Sequence, residues 1–116
     1  MNLKLIRIDD RNTDKERLLI KVLEDCNTGH YLVFDTTFDG QGISNLDRHM
    51  FLLPSLEVKK GDYIRLYSKK GEYSSFPNKS KTTTHNIYWN LENYVWNNEG
   101  DKAFLIHYDD WEALEG

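Results

Sequence analysis

Histidine and aspartate residues close to the C-terminus are the side chains best suited to acid–base or metal chemistry. His107 is followed by Asp109 and Asp110. Folding can bring Asp9, Asp10 and Asp14 to them, while the other histidines, His30, His49 and His85, sit in different predicted strands. Zinc sites usually carry paired ligands at short fixed spacings, and this sequence has none. We therefore interpret these residues as solvated strand ends and predict no metal and no cofactor. A small metal-dependent enzyme is the least favoured function.

The nucleophilic residues lack partners in sequence. Cys26 is the single cysteine, and Ser74 and Ser75 have no histidine or acid beside them in a recognisable motif. A nucleophile needs a base and a group that orients the base, so we predict no catalytic residues. A single cysteine also excludes an internal disulfide and fits a reducing compartment.

The clearest indication of binding is a basic segment at residues 59–81. It holds seven basic side chains against two acidic ones, a net charge of +5 in a chain whose total is −4. Tyr63 and Tyr67 flank Arg65 at alternate positions, which places all three on one face of a strand. The predicted binding residues are Tyr63, Arg65, Tyr67, Lys69, Lys70, Lys79 and Lys81.

Three interpretations of this segment are open. Lysines at turns protect sheet edges, so a solvated surface comes first. Contact with an acidic partner protein comes second. Nucleic acid comes third: basic and aromatic side chains bind phosphates and stack on bases, but the negative total charge is atypical of a strong nucleic-acid binder.

These side chains belong to one small domain, which we predict to span residues 1–116. Aromatic residues make up 13% of the chain, which favours strands. Residues 1–8 alternate apolar with polar side chains, unlike the apolar centre of a signal peptide. No apolar run approaches the ~20 residues of a membrane helix. We therefore expect no membrane segment, and the cytoplasm is the favoured compartment.

Short apolar or alternating runs predict strands at 2–8, 50–53, 63–68 and 102–109. Turns are predicted at 39–42, 59–62 and 97–101, where glycine accompanies polar residues. The polar segment 71–84 is predicted to be the longest loop, either mobile or functional.

Residues 17–26 are ambiguous. Thr13 and Glu16 match a capping box, and the apolar residues that follow have helical spacing. Against a helix, the run is short and ends at the turn-forming Asn27-Thr28-Gly29. We favour a hairpin of 17–26 with 30–38. Together these strands predict an all-β antiparallel sandwich or barrel of about seven to nine short strands.

The second half of the chain resembles the lamin-tail domain family. Leu56-Glu-Val-Lys-Lys-Gly-Asp-Tyr-Ile-Arg-Leu-Tyr-Ser is similar to a conserved turn and strand of that family, and Val95-Trp96-Asn-Asn-Glu-Gly-Asp-Lys-Ala-Phe-Leu to its tryptophan segment and final strand. The resemblance covers about residues 50–108 and includes Trp89.

The resemblance implies an immunoglobulin-like antiparallel β-sandwich that is not an enzyme and acts as an interaction module. A protein partner is therefore the favoured expectation, and nucleic acid bound through 59–81 is the alternative. Trp89 and Trp96 suit either a stacking platform or the core, and we favour the core because buried aromatic rings contribute most to packing there.

Overall fold

The computed structural model describes residues 1–37, 49–96 and 101–116, and within these ranges every regular element is a strand. The strands are β1 Leu3–Asp9, β2 Arg17–Val22, β3 Cys26–Asn27, β4 Tyr31–Thr37, β5 Met50–Leu52, β6 Glu57–Val58, β7 Tyr63–Tyr67, β8 Ser74–Pro77, β9 Thr83–Tyr88 and β10 Asp101–His107. The all-β prediction is confirmed, but the described ranges contain ten strands where about seven to nine were predicted. No helix in these ranges is long and apolar enough to cross a membrane. The predicted turns at 39–42 and 97–101 lie largely or wholly outside the described residues.

Five strands form the larger sheet, in the order β1-β2-β7-β9-β8. β7 shows the expected period of two: Ile64 and Leu66 are buried, while Tyr63, Arg65 and Tyr67 are half-buried on the opposite face. The predicted alternation of this strand is therefore confirmed.

A bulge in β1 changes which side chains face outward. The register with β2 shifts between Leu5 and Arg7. Before the shift Leu5 opposes the buried Ile20, and after it Arg7 opposes Leu19 on the other face. An extra residue in a strand reverses the facing of everything after it. In a regular strand Arg7 would face the same side as Leu5, two positions earlier. The bulge turns Arg7 outward instead.

The sheet is mixed, so the expectation of a wholly antiparallel fold is wrong. β7 pairs with β9 in parallel, while the other strand pairs are antiparallel. Parallel neighbours need a crossover connection. Here residues 68–82 provide it: the chain forms β8 at the sheet edge and returns as β9, which inserts between β7 and β8.

The segment 71–84 is not simply a loop, because it contains β8 and the start of β9. All four residues of β8 are exposed, so no buried face marked it in the sequence. Asn78 N–H donates to Thr82 O across the β8–β9 pair. In an antiparallel pair, alternate residues direct their backbone N–H and C=O groups toward the partner strand, so those of Ser75 and Pro77 point to the open edge of the sheet. Proline has no N–H, so this edge offers one donor fewer to a further strand.

Residues 17–22 are a strand, and the helix alternative is wrong for them. The predicted hairpin is also wrong in its pairing: β2 lies between β1 and β7, while β4 lies between β10 and β5. β2 pairs on both sides, and Leu18, Ile20 and Val22 are buried on its inner face. Residues 26–27 instead pair with β6 in a separate two-stranded sheet.

The remaining sheet has three strands in the order β10-β4-β5. Its inner side chains, including Tyr31 and Val33, join Ile20, Ile64 and Trp96 in one core cluster. The apolar faces of the two larger sheets therefore share a single core.

Glu16 is a fully buried carboxylate in this core, only 1% exposed. Its Oε1 accepts from Ser68 Oγ at 2.5 Å, Val95 N–H at 2.8 Å and Trp96 N–H at 3.3 Å. Its Oε2 accepts from Asn12 N–H at 3.0 Å. The residue that suggested a helix cap thus joins the start of β2, the end of β7 and the tryptophan segment.

Replacing Glu16 with Ala leaves the buried donors of Ser68, Val95 and Trp96 unpaired. Each unpaired buried donor costs about 1–3 kcal/mol, so we expect the free energy of unfolding to fall by about 3 kcal/mol or more. Urea denaturation followed by tryptophan fluorescence measures the loss.

The matched control is Glu24→Ala, which removes an exposed carboxylate 3.8 Å from Lys60 Nζ. Exposed ion pairs contribute about 0–1 kcal/mol, so this variant should stay close to the parent protein. Equal losses in the two variants would contradict a structural role for the buried carboxylate.

Candidate functional site

The outer face of the five-stranded sheet collects basic and aromatic side chains from all five strands. We call this surface the basic face, and the strand registers place on it Lys4, Arg7, Asp9, Arg17, Leu19, Lys21, Tyr63, Arg65, Tyr67, Ser74, Phe76, Thr84, Asn86 and Tyr88. Five of these side chains are basic and one is acidic. The chain as a whole has a net charge of −4, so positive charge is segregated onto this surface.

Cations lie against aromatic rings across the basic face. Arg17 Cζ is 5.9 Å from the centre of the Tyr67 ring, and Arg65 Cζ is 5.4 Å from that of Phe76. Lys21 Nζ lies 5.9 Å from the centre of the Tyr63 ring. Such contacts are attractive because the face of an aromatic ring carries negative charge. They hold otherwise mobile cationic side chains close to the sheet.

A groove of about 580 Å³ runs between β1 and the β8–β9 turn. We call it the groove; its lining residues are Arg7, Asp9, Arg17, Leu19, Tyr63, Arg65, Phe76, Pro77, Asn78, Lys79, Ser80 and Thr84. The turn forms one wall. Asn78 Oδ1 accepts from Ser80 N–H at 2.9 Å and from Thr82 N–H at 3.2 Å, which fixes the turn that presents Lys79.

Two of the three arginines of the groove, Arg7 and Arg17, are held by carboxylates. Arg7 Nε–H donates to Asp9 Oδ1 at 2.8 Å. Arg17 Nη1–H donates to Asp10 Oδ2 and to Lys15 O, each at 2.9 Å. The Nε of Arg17 is buried and has no hydrogen-bond partner within residues 1–37, 49–96 and 101–116. An unpaired buried donor is unfavourable unless something else accepts from it.

The predicted binding residues separate into three groups. Tyr63, Arg65 and Lys79 line the groove. Tyr67 lies elsewhere on the basic face, with Lys69 Nζ 5.5 Å from the centre of its ring. Two predicted residues lie outside the face: Lys70 forms an ion pair with Glu92, and Lys81 lies in the β8–β9 turn with a φ of 64°.

Other lysines of the basic segment are paired with acids away from the basic face. Lys59 Nζ is 3.8 Å from Asp25, and Lys60 Nζ is 3.8 Å from Glu24.

Sequence reasoning missed Arg7 and Arg17, which supply much of the charge in the groove. Their outward positions on apolar strands were a usable signal, but only the sheet order brings them beside β7.

A chain of hydrogen bonds runs from the buried pair of Asp62 and His85, on the inner side of the same sheet, to the half-exposed Tyr73. His85 Nε2 is 2.9 Å from Asp62 Oδ2, and His85 Nδ1 is 2.8 Å from the hydroxyl of Tyr73. Asp62 also accepts from Lys59 N–H and Thr83 N–H, each at 3.0 Å. Asp62 lies in a predicted turn 23 residues before His85, and no pattern in the sequence connects the two.

Burial by itself raises the pKa of Asp62, but hydrogen bonds from His85 and from the Lys59 and Thr83 N–H groups lower it further than burial raises it. The net result is a pKa below the usual range for aspartate. The carboxylate therefore fixes the β6–β7 turn to β9 in its charged form.

The residues considered for metal or acid–base chemistry do not converge. The His107 ring stacks on Tyr31, with their centres 4.4 Å apart, while Asp109 and Asp110 are exposed. The His30 ring lies 4.6 Å from Trp111. Across the described ranges, no group of three or more His, Cys, Asp or Glu side chains is arranged to hold a metal ion.

The core interpretation of the two tryptophans is confirmed. Trp96 is 1% exposed and Trp89 is 8% exposed, and their rings meet edge to face with centres 6.2 Å apart. Neither ring offers a free surface to a ligand.

Comparison with known protein families found none that matches the chain, and comparison with curated proteins found no match either. The lamin-tail resemblance therefore stays a prediction.

Asp62 provides a test by pH. Because its folded pKa lies below the usual value of about 3.9, its carboxylate stabilises the fold above about pH 4, and this contribution is lost as pH falls further. We expect Asp62→Asn to lower the free energy of unfolding at neutral pH by about 1–3 kcal/mol. Below pH ~4 the difference from the parent protein should shrink.

Urea denaturation at a series of pH values measures both effects. Asp109→Asn is the control, since it changes an exposed aspartate of the C-terminal tail. A constant difference between Asp62→Asn and the parent protein at every pH would show that the carboxylate charge does not stabilise the fold.

Proposed function

We propose that this chain is a non-catalytic interaction module that binds an anionic macromolecule through the basic face. We also propose that its fold is an immunoglobulin-like β-sandwich similar to the lamin-tail domain. The shared core of the two larger sheets supports a sandwich. The lamin-tail resemblance implies antiparallel strands, and the parallel pairing of β7 with β9 departs from that pattern.

The observation that carries the proposed function is the segregation of charge on one sheet face. Lys4 and Lys21 are direct cross-strand partners. Like charges at such positions repel and destabilise the sheet. An anionic partner relieves this repulsion, and a positive surface also steers such a partner to the sheet.

Two classes of macromolecule present the required negative charge: an acidic segment of a protein, which the sequence favours, and a nucleic acid. The exposed outer side of the three-stranded sheet supports a protein partner. Met50 and Leu52 are each 61% exposed there, and Ile106 is 41% exposed. Contact through apolar side chains survives high salt, whereas contact through the basic face weakens, so salt dependence identifies the surface that binds.

Lys4→Glu/Lys21→Glu tests the basic face. At low salt the parent protein should bind at least one of two polyanions, a poly-glutamate peptide or a single-stranded oligonucleotide. Its affinity should fall as the salt concentration rises. We expect the double variant to lose at least about tenfold in affinity, since reversing two charges lowers the net charge of the surface by about four units. Fluorescence anisotropy with labelled ligands measures the dissociation constants.

Lys59→Glu/Lys60→Glu is the matched control, because it changes the total charge equally at lysines that lie off the basic face. It should keep most of the affinity. Equal losses in the two double variants would mean that only total charge matters, and an absence of binding to either polyanion at low salt would refute the proposed function.

A further inference from the structure

We propose that the groove is a binding site for a nucleotide unit, in which the arginines hold the phosphate and an aromatic ring stacks on the base. This inference rests on the proposed function and specifies its ligand. It draws on three features of the groove: its guanidinium groups, its exposed aromatic ring and its size.

The guanidinium groups surround one small area of the sheet. Arg7 and Arg65 are both cross-strand partners of Leu19, one from each side. Neighbouring strands lie about 4.8 Å apart, so the two arginines start only about 10 Å from each other, across a leucine that offers no charge. Arg17 adds a third guanidinium from β2. Planar guanidinium groups suit phosphate because they donate two parallel hydrogen bonds.

The groove keeps an excess of positive charge after its internal ion pairs are formed. Asp9 is the one acidic residue that lines it, against three arginines and Lys79. Arg17 is held at Nη1, while its buried Nε lacks an acceptor in the parts of the chain that the structure covers.

The aromatic part of the site adjoins the phosphate part. Phe76 is 39% exposed, and Arg65 lies against its ring. Phe76 and Tyr63 are both register partners of Thr84, which separates them with a small side chain. Phosphate and base of one nucleotide are joined through a single sugar, so they need neighbouring cationic and aromatic groups. Bases stack on such rings with little dependence on sequence.

The dimensions and polar groups of the groove favour one nucleotide unit. A volume of about 580 Å³ falls within the usual range for small-ligand sites. Asn78 Oδ1 is committed to its turn and Asn78 Nδ2 donates to Thr84 Oγ1 at 3.1 Å, so part of the hydrogen-bonding capacity of both side chains is already used. We therefore expect weak preference among bases. A poly-glutamate peptide has the charge for this site but no ring to stack on Phe76.

The experiment compares four ligands by anisotropy or calorimetry at low salt: a short oligothymidylate, an abasic oligonucleotide of equal length, a poly-glutamate peptide of equal charge, and free thymidine monophosphate. We expect the oligothymidylate to bind at least about tenfold more tightly than the abasic strand, because each stacked base adds affinity. Thymidine monophosphate shows whether the site binds a nucleic-acid strand or a free nucleotide. If it binds as tightly as the oligothymidylate, the site is assigned to free nucleotides.

Variants of the parent protein separate the two parts of the site. Phe76→Leu should reduce oligothymidylate affinity about fivefold to tenfold and leave abasic binding unchanged. Arg7→Gln should weaken both. Tyr94→Leu is the control, since Tyr94 has the same 39% exposure as Phe76 but does not line the groove. The comparison of ligands needs no variant, so a poorly folded variant does not leave the proposal untested.

The outcomes distinguish this inference from the proposed function. If oligothymidylate, abasic strand and poly-glutamate bind equally, or if poly-glutamate binds most tightly, the nucleotide site is refuted while binding through the basic face stands. If none of the four ligands binds, both proposals fail. Unchanged oligothymidylate affinity in Phe76→Leu also overturns the stacking role.

Discussion

The buried carboxylate of Glu16 is the constraint on which the architecture depends. Its two oxygens accept from residues on the β1–β2 connection, at the end of β7 and in the tryptophan segment. A buried charge is tolerable only when such donors surround it. The arrangement therefore fixes where β2 starts relative to β7, and with it the register that sets Arg17 opposite Tyr67. The position of the basic face follows from a hydrogen-bond requirement in the core.

Asp62 performs a related task at the other end of β7. It joins the turn before β7 to Thr83 and His85 of β9, the parallel neighbour. Parallel pairs lack a tight connecting turn that would fix their register. A charged acceptor shared between the two strands supplies that constraint. The relative positions of Tyr63 and Phe76 across Thr84 depend on it, because β8 is placed only through β9.

The period of two in the sequence predicted individual strands. It could not predict which strands pair when they lie far apart along the chain. The alternation in β7 was sufficient to place Tyr63, Arg65 and Tyr67 on one face. β8 escaped prediction because an exposed edge strand has no apolar side to detect. The hairpin of 17–26 with 30–38 failed because β2 pairs with β7, far along the chain. Glu16 meets donors 52 and 79 residues away, so its role was invisible to any local pattern.

The acidic residues near the basic face do more than reduce its charge. Asp9 and Asp10 hold the guanidinium groups of Arg7 and Arg17, whereas lysines such as Lys59 and Lys60 sit about 70% exposed in long, weak pairs. A side chain fixed before binding loses less conformational entropy when a ligand arrives. One carboxylate that orients a guanidinium but leaves its remaining donors open therefore lowers the entropy cost of holding an anion at that position, although its own charge repels the anion. By this reasoning, the solvated lysines of the chain contribute charge at long range, and the oriented arginines determine where an anion is held.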